Sequence, residues 1–138
     1  MVGILIVTHG PLANAFKESA RMFFDEVADR IQTIGLYPGD TIEDLEGKIT
    51  NAICNNYDED GMMVFVDMLA GSPFNMTALT LHKLLPQGYK IECVTGINLP
   101  LLMEALAGTE YMTLEEMKST VLEKAQESVV DARGVLGI

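Results

Sequence analysis

The sequence predicts an α/β fold with a doubly wound, mostly parallel four-stranded sheet and helices on both faces of the sheet. Four short apolar segments alternate with segments of helical periodicity along the 138 residues. The first segment, residues 3–8, is apolar almost throughout, which is typical of a strand that is covered on both faces. Turn and helix-capping residues separate the segments. We expect right-handed crossovers and the strand order 2-1-3-4.

The first half of the chain contains two of these strand and helix pairs. After the first strand, a predicted helix over 11–24 begins at a proline and carries apolar residues at helical spacing. A second strand over 31–36 ends at a turn that contains proline and glycine. Thr41 and Asp44 have the spacing of a helix N-terminus, so a second helix is predicted to begin there.

The second half repeats the alternation. A third strand over 62–66 is followed by Ser72, which precedes a proline and is predicted to be a helix N-cap. A fourth strand is predicted over 89–95. Asn98 is predicted to begin a helix that ends near Ala107.

The last quarter of the chain predicts one long helix and leaves the terminus open. Thr113, with Glu116 at the capping-box position, begins a predicted helix that continues to about Arg133 and ends at Gly134. The final residues, Val135–Ile138, have two alternatives: a short edge strand or a frayed end.

Length and composition predict one domain over 1–138 in a soluble, cytoplasmic protein. Hydrophobic residues make up 49% of the chain, but no apolar run approaches the roughly 18 residues of a membrane span. The N-terminus lacks a signal-peptide pattern. A formal net charge of −11 disfavours binding to nucleic acids and favours partners with basic surfaces. Cys54 and Cys93 match no metal-ligand spacing, and we expect both to be small buried hydrophobic residues without a disulfide.

Two predicted strands end in side chains with complementary chemistry. His9 ends the first strand, and Asp67 follows the third. In the expected strand order these strands are neighbours, and ligands of such sheets bind beyond their carboxyl ends. A carboxylate that accepts a proton from one imidazole nitrogen leaves the other nitrogen free to attack. We therefore predict that Asp67 orients His9 through Nδ1–H and that Nε2 is a nucleophile.

The loops after these strands contain groups that suit a negatively charged ligand. Gly10 and Gly71 allow close approach of the backbone, and the Ser72 hydroxyl can donate a hydrogen bond. Thr8 is a weaker candidate donor, because a threonine at a strand end is more often a packing residue. The helices that begin at Pro11 and Ser72 present unpaired N–H groups. This set fits phosphoryl transfer through a phosphohistidine, with no cofactor and no metal ion.

Three motifs, in order, resemble the IIA component of the mannose-type (mannose, fructose and sorbose) family of the phosphoenolpyruvate-dependent sugar phosphotransferase system. They are Ile6–Gly10, Asp67 with Gly71–Asn75, and Gly96–Pro100. The resemblance covers essentially the whole chain. Leu69 and Ala70 stand where the family often has an aromatic residue and a glycine.

The resemblance implies that His9 accepts a phosphoryl group on Nε2 from phospho-HPr and passes it to a IIB component, which phosphorylates the sugar as it enters through the IIC and IID membrane components. It implies that Asp67 orients His9 and that Ser72 contacts the phosphoryl group. It further implies a homodimer in which Val135–Ile138 is an edge strand exchanged between subunits.

The residues leave other functions open. The main alternative is a non-catalytic regulatory module that binds a partner or an anion at the same sheet edge and reports the state of phosphorylation. A metal-dependent hydrolase is less well supported, because His9 and Asp67 have no further convergent ligands in the sequence. His82, the second histidine, is expected to be exposed and away from the loop edge.

Overall fold

A computed structural model describes residues 1–138 and shows the doubly wound α/β fold. All strands are parallel, in the order β2-β1-β3-β4. The strands are β1 (Gly3–His9), β2 (Gln32–Leu36), β3 (Met62–Val66) and β4 (Ile91–Val94). The helices are α1 (Leu12–Ala20), α2 (Asp25–Asp29), α3 (Ile42–Asn56), α4 (Ser72–Leu84), α5 (Leu99–Gly108), α6 (Leu114–Ser128) and α7 (Ala132–Leu136), with one 3₁₀ turn (Leu85–Gln87).

Apolar layers on both faces of the sheet hold the central strands in place. Alternate side chains of β1 and β3 point to opposite faces, so both strands are buried along most of their length. One face packs on α1, α5 and α6 and includes Ile4, Ile6, Met63 and Phe65. The other packs on α3 and α4 and includes Leu5, Val7, Val64 and Val66. Each fully buried large side chain contributes about 2 kcal/mol to stability, which makes these strands a rigid base for the loops that follow.

The strand register brings the ends of β1 and β3 to the same edge of the sheet. Val7 lies opposite Val66 in the parallel ladder between these strands. His9 therefore ends β1 two residues beyond this pair, and Asp67 leaves β3 one residue beyond it. The predicted strand order, on which the meeting of these side chains depends, is confirmed.

The prediction for the first helix is wrong in its extent. The helix predicted over 11–24 ends at Ala20, and a separate short helix, α2, follows. Phe24 has a non-helical backbone, with φ −138° and ψ 68°, and its side chain packs on the core together with Val27 of α2. The chain turns after α1 because a single straight helix would leave these apolar side chains away from the core.

The C-terminal region also differs from its prediction. The long helix ends at Ser128 instead of Arg133, because Val129 is extended and Asp131 caps a new helix, α7, by accepting from the N–H of Arg133. The possible edge strand over 135–138 is not formed in this chain, and the outer edge of β4 has no neighbouring strand. Five apolar side chains of this region are exposed: Val129, Val130, Val135, Leu136 and Ile138.

The helix caps predicted at Thr41 and Thr113 are confirmed. Thr41 accepts from the N–H of Asp44, and Thr113 and Glu116 form the complete capping box.

The prediction that Cys54 is buried is wrong, because its side chain is exposed. Cys93 is half-buried, and this burial, with a smaller contribution from Glu92, raises the pKa of its thiol to about 11. None of the helices has the length and apolar character of a membrane span.

Candidate functional site

The imidazole of His9 and the carboxylate of Asp67 are in direct contact. Nδ1 of His9 lies 2.7 Å from Oδ2 of Asp67, and the backbone N–H of His9 donates to the same oxygen at 2.9 Å. The backbone N–H of Met68 donates to Oδ1 at 3.0 Å, so both carboxylate oxygens are held. A carboxylate in this position accepts the proton of Nδ1. In the neutral imidazole, Nε2 then carries the lone pair.

The two partners differ in their exposure to solvent. The side chain of Asp67 is 11% exposed, whereas that of His9 is 46% exposed. Burial raises the pKa of the Asp67 carboxyl, but the hydrogen bonds from the backbone and ring of His9 outweigh it and the pKa falls below its ordinary value. Asp67 is therefore ionised at neutral pH and remains an acceptor for Nδ1–H.

Gly71 lies close to the Cε1 and Nε2 atoms of the His9 ring. A Cβ atom at Gly71 would stand 2.8 Å from Cε1 and 3.3 Å from Nε2 of His9. The backbone of Gly71, with φ −97°, is one that any residue adopts. The glycine is therefore required by the close approach of the imidazole, and it brings the start of α4 next to Nε2.

The first turn of α4, which begins directly after Gly71, offers backbone donors. Gly71 is the N-cap and Ser72 is the first helical residue, so the prediction of Ser72 as N-cap is wrong by one position. The N–H of Asn75 donates to the carbonyl of Gly71 at 2.8 Å. The N–H groups of Ser72 and Phe74 precede this point and have no acceptor within the helix, while Pro73 has no N–H. These groups suit an anion, and the helix dipole adds to the effect.

The start of α1 is arranged differently. The hydroxyl of Thr8 is buried and accepts from the N–H of Ala13 at 2.8 Å. The N–H of Gly10 donates to the carbonyl of Leu36 at 2.7 Å. Thr8 and Gly10 thus use these polar groups to hold the loop after β1 in shape. The structure brings together His9, Asp67 and Gly71, with Ser72 next in the chain as the first residue of α4, and it places His82 on the exposed surface of α4.

Sequence reasoning missed a glycine that shapes the same loop. A Cβ atom at Gly35 would lie 2.2 Å from the carbonyl oxygen of Gly10, so β2 and the loop after β1 can approach only with glycine at this position. The available signal was a glycine inside a predicted strand, which often marks the close approach of another backbone segment.

The third sequence motif closes the other side of the Asp67 loop. The N–H of Ile97 donates to the carbonyl of Val66 at 3.2 Å, so the chain after β4 stays beside the end of β3. Asn98 caps α5 by accepting from the N–H of Leu101 at 3.0 Å, and its amide nitrogen donates to Ser128 at 3.0 Å. No group of three or more His, Cys, Asp or Glu side chains in the chain is arranged to hold a metal ion.

Ala70, in the loop after Asp67, has a left-handed backbone conformation with φ +63°. This conformation costs a residue with a Cβ atom about 1 kcal/mol, although glycine also loses more freedom on folding. We expect Ala70→Gly to raise the free energy of unfolding by about 0.5 kcal/mol in urea titrations. Ala107→Gly, on the exposed side of α5, is the control and is expected to lower it by about 1 kcal/mol. A loss of stability in Ala70→Gly would contradict the strain at this position.

Comparison with known families decides the identity of the chain. Residues 3–122 match the family model described as the PTS system fructose IIA component, EIIA-man. The chain belongs to this mannose-type IIA family of the sugar phosphotransferase system. The resemblance of the three motifs is thereby confirmed.

Individual relatives agree with the family. The mannose-type IIA chain is 27% identical over 128 residues to the fructose-specific EIIA component of Bacillus subtilis, covering 93% of this chain and 84% of the relative. It is 31% identical to the IIA protein associated with the fucose utilization operon of Streptococcus pneumoniae, with a TM-score of 0.79 and 99% coverage of both chains. EIIA from Streptococcus agalactiae, at 24% identity and 95% and 97% coverage, supports the fold alone, with a TM-score of 0.84.

Proposed function

We propose that this chain is a cytoplasmic phosphocarrier whose His9 accepts a phosphoryl group from phospho-HPr and transfers it to a IIB component. The IIB component then phosphorylates a sugar that enters through the IIC and IID membrane components. One observation carries the proposal: the 2.7 Å contact between Nδ1 of His9 and Asp67, which leaves Nε2 free beside Gly71 and the start of α4.

The proposed transfer needs only groups at this edge. The lone pair of Nε2 attacks phosphorus, the N–P bond of the donor breaks, and its electron pair returns to the donor imidazole. Because Nδ1 keeps its proton, the phosphorylated ring bears positive charge, which the Asp67 carboxylate stabilises. The N–H groups of Ser72 and Phe74 and the hydroxyl of Ser72 donate to the phosphoryl oxygens. Transfer to the IIB component follows the same steps in reverse.

Exposed apolar side chains surround the same edge and support docking of protein partners. They follow β1, β2 and β3 or begin the next helix: Leu12, Tyr37, Ile42, Met68 and Leu69. A cluster of exposed apolar residues on an acidic chain is typical of an interaction surface. We propose that HPr and the IIB component use this surface in turn, each placing its own histidine opposite Nε2.

The test is a two-step transfer. The protein is incubated with phosphoenolpyruvate, enzyme I and HPr, and its mass and the acid lability of any phosphoryl group are measured. We expect one acid-labile phosphoryl group to form in this first step. A cognate IIB component is then added, and we expect the phosphoryl group to move rapidly to it. A folded protein that takes up no phosphoryl group, or that keeps it in the presence of IIB, would support a regulatory binding module instead.

The contact between Gly71 and His9 makes a sharp prediction for Gly71→Ala. The added methyl group meets the ring at Cε1 and Nε2, so the ring must move away from the donors of α4. A displacement of about 1 Å can slow a transfer about 100-fold, which is the decrease that we expect in the rate of phosphorylation by phospho-HPr. Gly47→Ala, in α3 with open space at its Cβ position, is the matched control and should keep the normal rate. Equal rates for the two variants would contradict the proposed position of Nε2.

We further propose that the protein forms a homodimer through its C-terminal residues. Val129, Val130, Val135, Leu136 and Ile138 are exposed in the single chain, and β4 has a free outer edge. Rearrangement of α7 into a strand on β4 of a second copy would cover both surfaces. We expect sedimentation to give a dimer for the full chain and a monomer after removal of residues 129–138. A monomer at high concentration in the full chain would contradict the proposal.

A further inference from the structure

A cavity of about 370 Å³ lies at the sheet edge opposite His9. It is bounded by the amino-terminal ends of β1, β2 and β3, by α2 and by the end of α5. Its walls include the buried apolar residues Val2, Ile4, Ile31, Met62 and Leu106. This volume is within the range of roughly 300–1,000 Å³ that is usual for small-molecule sites. None of the residues proposed for phosphoryl transfer contributes to it.

Arg30, at the opening of this cavity, has no carboxylate partner. Its Nη1 donates to the sulfur of Met1 at 2.6 Å, and a thioether is a weak acceptor. Arg30 forms no salt bridge, although the chain carries 20 acidic and 9 basic residues. A guanidinium with unused donors beside an apolar cavity suits a ligand that combines an anionic group with an apolar body.

Other polar groups at the opening limit the charge of this ligand. The carboxylate of Asp58 also lines the cavity, and the amino group of Met1 and the N–H of Asp60 bind to it. Its negative charge disfavours a dianion, such as a phosphate monoester, more than a monoanion. Gln32 and Asn56 supply neutral hydrogen-bonding groups at the same opening.

We propose that this cavity binds a small monoanionic carboxylate with an aromatic or branched aliphatic body. The apolar body lies against Ile4 and Leu106, and the carboxylate forms a paired contact with the guanidinium of Arg30. The ligand site is separate from the His9 edge, since β1 runs from one to the other.

Hydrocinnamate, an aromatic monocarboxylate, is a suitable probe of the full-length protein. We expect its titration to give saturable changes in the amide chemical shifts of Ile4, Val27, Ile31 and Leu106. Hydrocinnamamide, the neutral counterpart, should bind about tenfold more weakly because it lacks the charged contact with Arg30. Absence of saturable shifts at millimolar hydrocinnamate, or shifts confined to the His9 edge, would overturn the proposal.

Two variants and one control variant test the position of the site. Arg30→Gln should weaken hydrocinnamate binding about tenfold and leave hydrocinnamamide binding unchanged, whereas Arg133→Gln, in α7, should bind both as the wild type does. Val27→Phe adds bulk at the cavity wall and should abolish binding of both compounds. Amide spectra of each variant establish that it is folded. Normal hydrocinnamate affinity in folded Arg30→Gln would overturn the role of the guanidinium.

Discussion

His9→Ala is expected to lose all phosphoryl uptake from phospho-HPr. The substitution removes Nε2, and no second histidine lies at this edge: the remaining histidine, His82, is exposed on α4 and away from the contact with Asp67. The measurement is the mass of the protein after incubation with the phosphoenolpyruvate, enzyme I and HPr mixture. Because the side chain of His9 is 46% exposed and lies at the end of its strand, the folded structure should survive the substitution.

His82→Ala is the matched control for this experiment, since the chain contains only two histidines. We expect His82→Ala to accept one acid-labile phosphoryl group at the rate of the wild-type protein. Full phosphorylation of His9→Ala, or loss of phosphorylation in His82→Ala alone, would show that the nucleophile is not at the sheet edge. Loss in both variants would point to damage of the fold, which circular dichroism spectra detect.

Asp67→Asn is expected to slow phosphoryl transfer by about 100-fold or more while the protein stays folded. Asp67 accepts from the backbone and ring of His9 through one oxygen and from Met68 through the other. An asparagine amide has one acceptor oxygen and one NH₂ donor. Either His9 or the N–H of Met68 therefore faces the NH₂ group instead of an oxygen. When the NH₂ group faces His9, it donates to Nδ1 and favours the ring tautomer with the proton on Nε2. In this tautomer Nε2 has no lone pair and cannot attack.

Asp67→Ala separates the roles of orientation and charge. It removes the acceptor for Nδ1–H without adding a donor, and we expect it to slow transfer and to leave the fold intact. Rapid-quench measurement of single-turnover phosphorylation gives the rates, and nitrogen NMR of the imidazole gives the tautomer. Wild-type rates in both variants would show that Asp67 only holds the loop after β3.

The same carboxylate links stability to pH. Its pKa is lower in the folded protein than in the unfolded chain, so its contribution to stability is complete above the ordinary pKa of about 4 and is lost as the pH falls through the folded value. We therefore expect the free energy of unfolding of the wild type to fall more steeply below about pH 4 than that of Asp67→Asn. Urea titrations at several pH values measure both slopes, and parallel slopes would contradict this assignment.

The chemical pair at the site could be predicted because its signals are local and its geometry follows from topology. The buried strands before His9 and Asp67 are apolar runs, and a parallel sheet in the observed order places their ends together. The capping box of Thr113 and Glu116 is also a local signal, and it appears as predicted. These elements depend on few residues, so tertiary packing had little opportunity to change them.

The remaining features depend on side-chain packing and close approaches that neither the local patterns nor the strand order specifies. The break between α1 and α2 arises because Phe24 packs on the core, which the helical spacing alone does not reveal. The role of Gly71 is steric, because the imidazole of His9 leaves no room for a Cβ atom. Its backbone angles are ordinary and do not indicate this role. The buried Thr8 hydroxyl holds the start of α1 because a backbone donor happens to lie within reach.

The contact between His9 and Asp67 joins residues that are 58 positions apart in the chain. No local segment contains both, so the pair exists only after β1 and β3 have aligned in register. The proposed reactivity at Nε2 thus depends on a contact that only the paired strands supply, and it should be lost with any local opening that separates them. A chain in which β1 and β3 are not yet paired has both residues but not their contact, so the proposed nucleophile would be oriented only in molecules that have formed this part of the sheet.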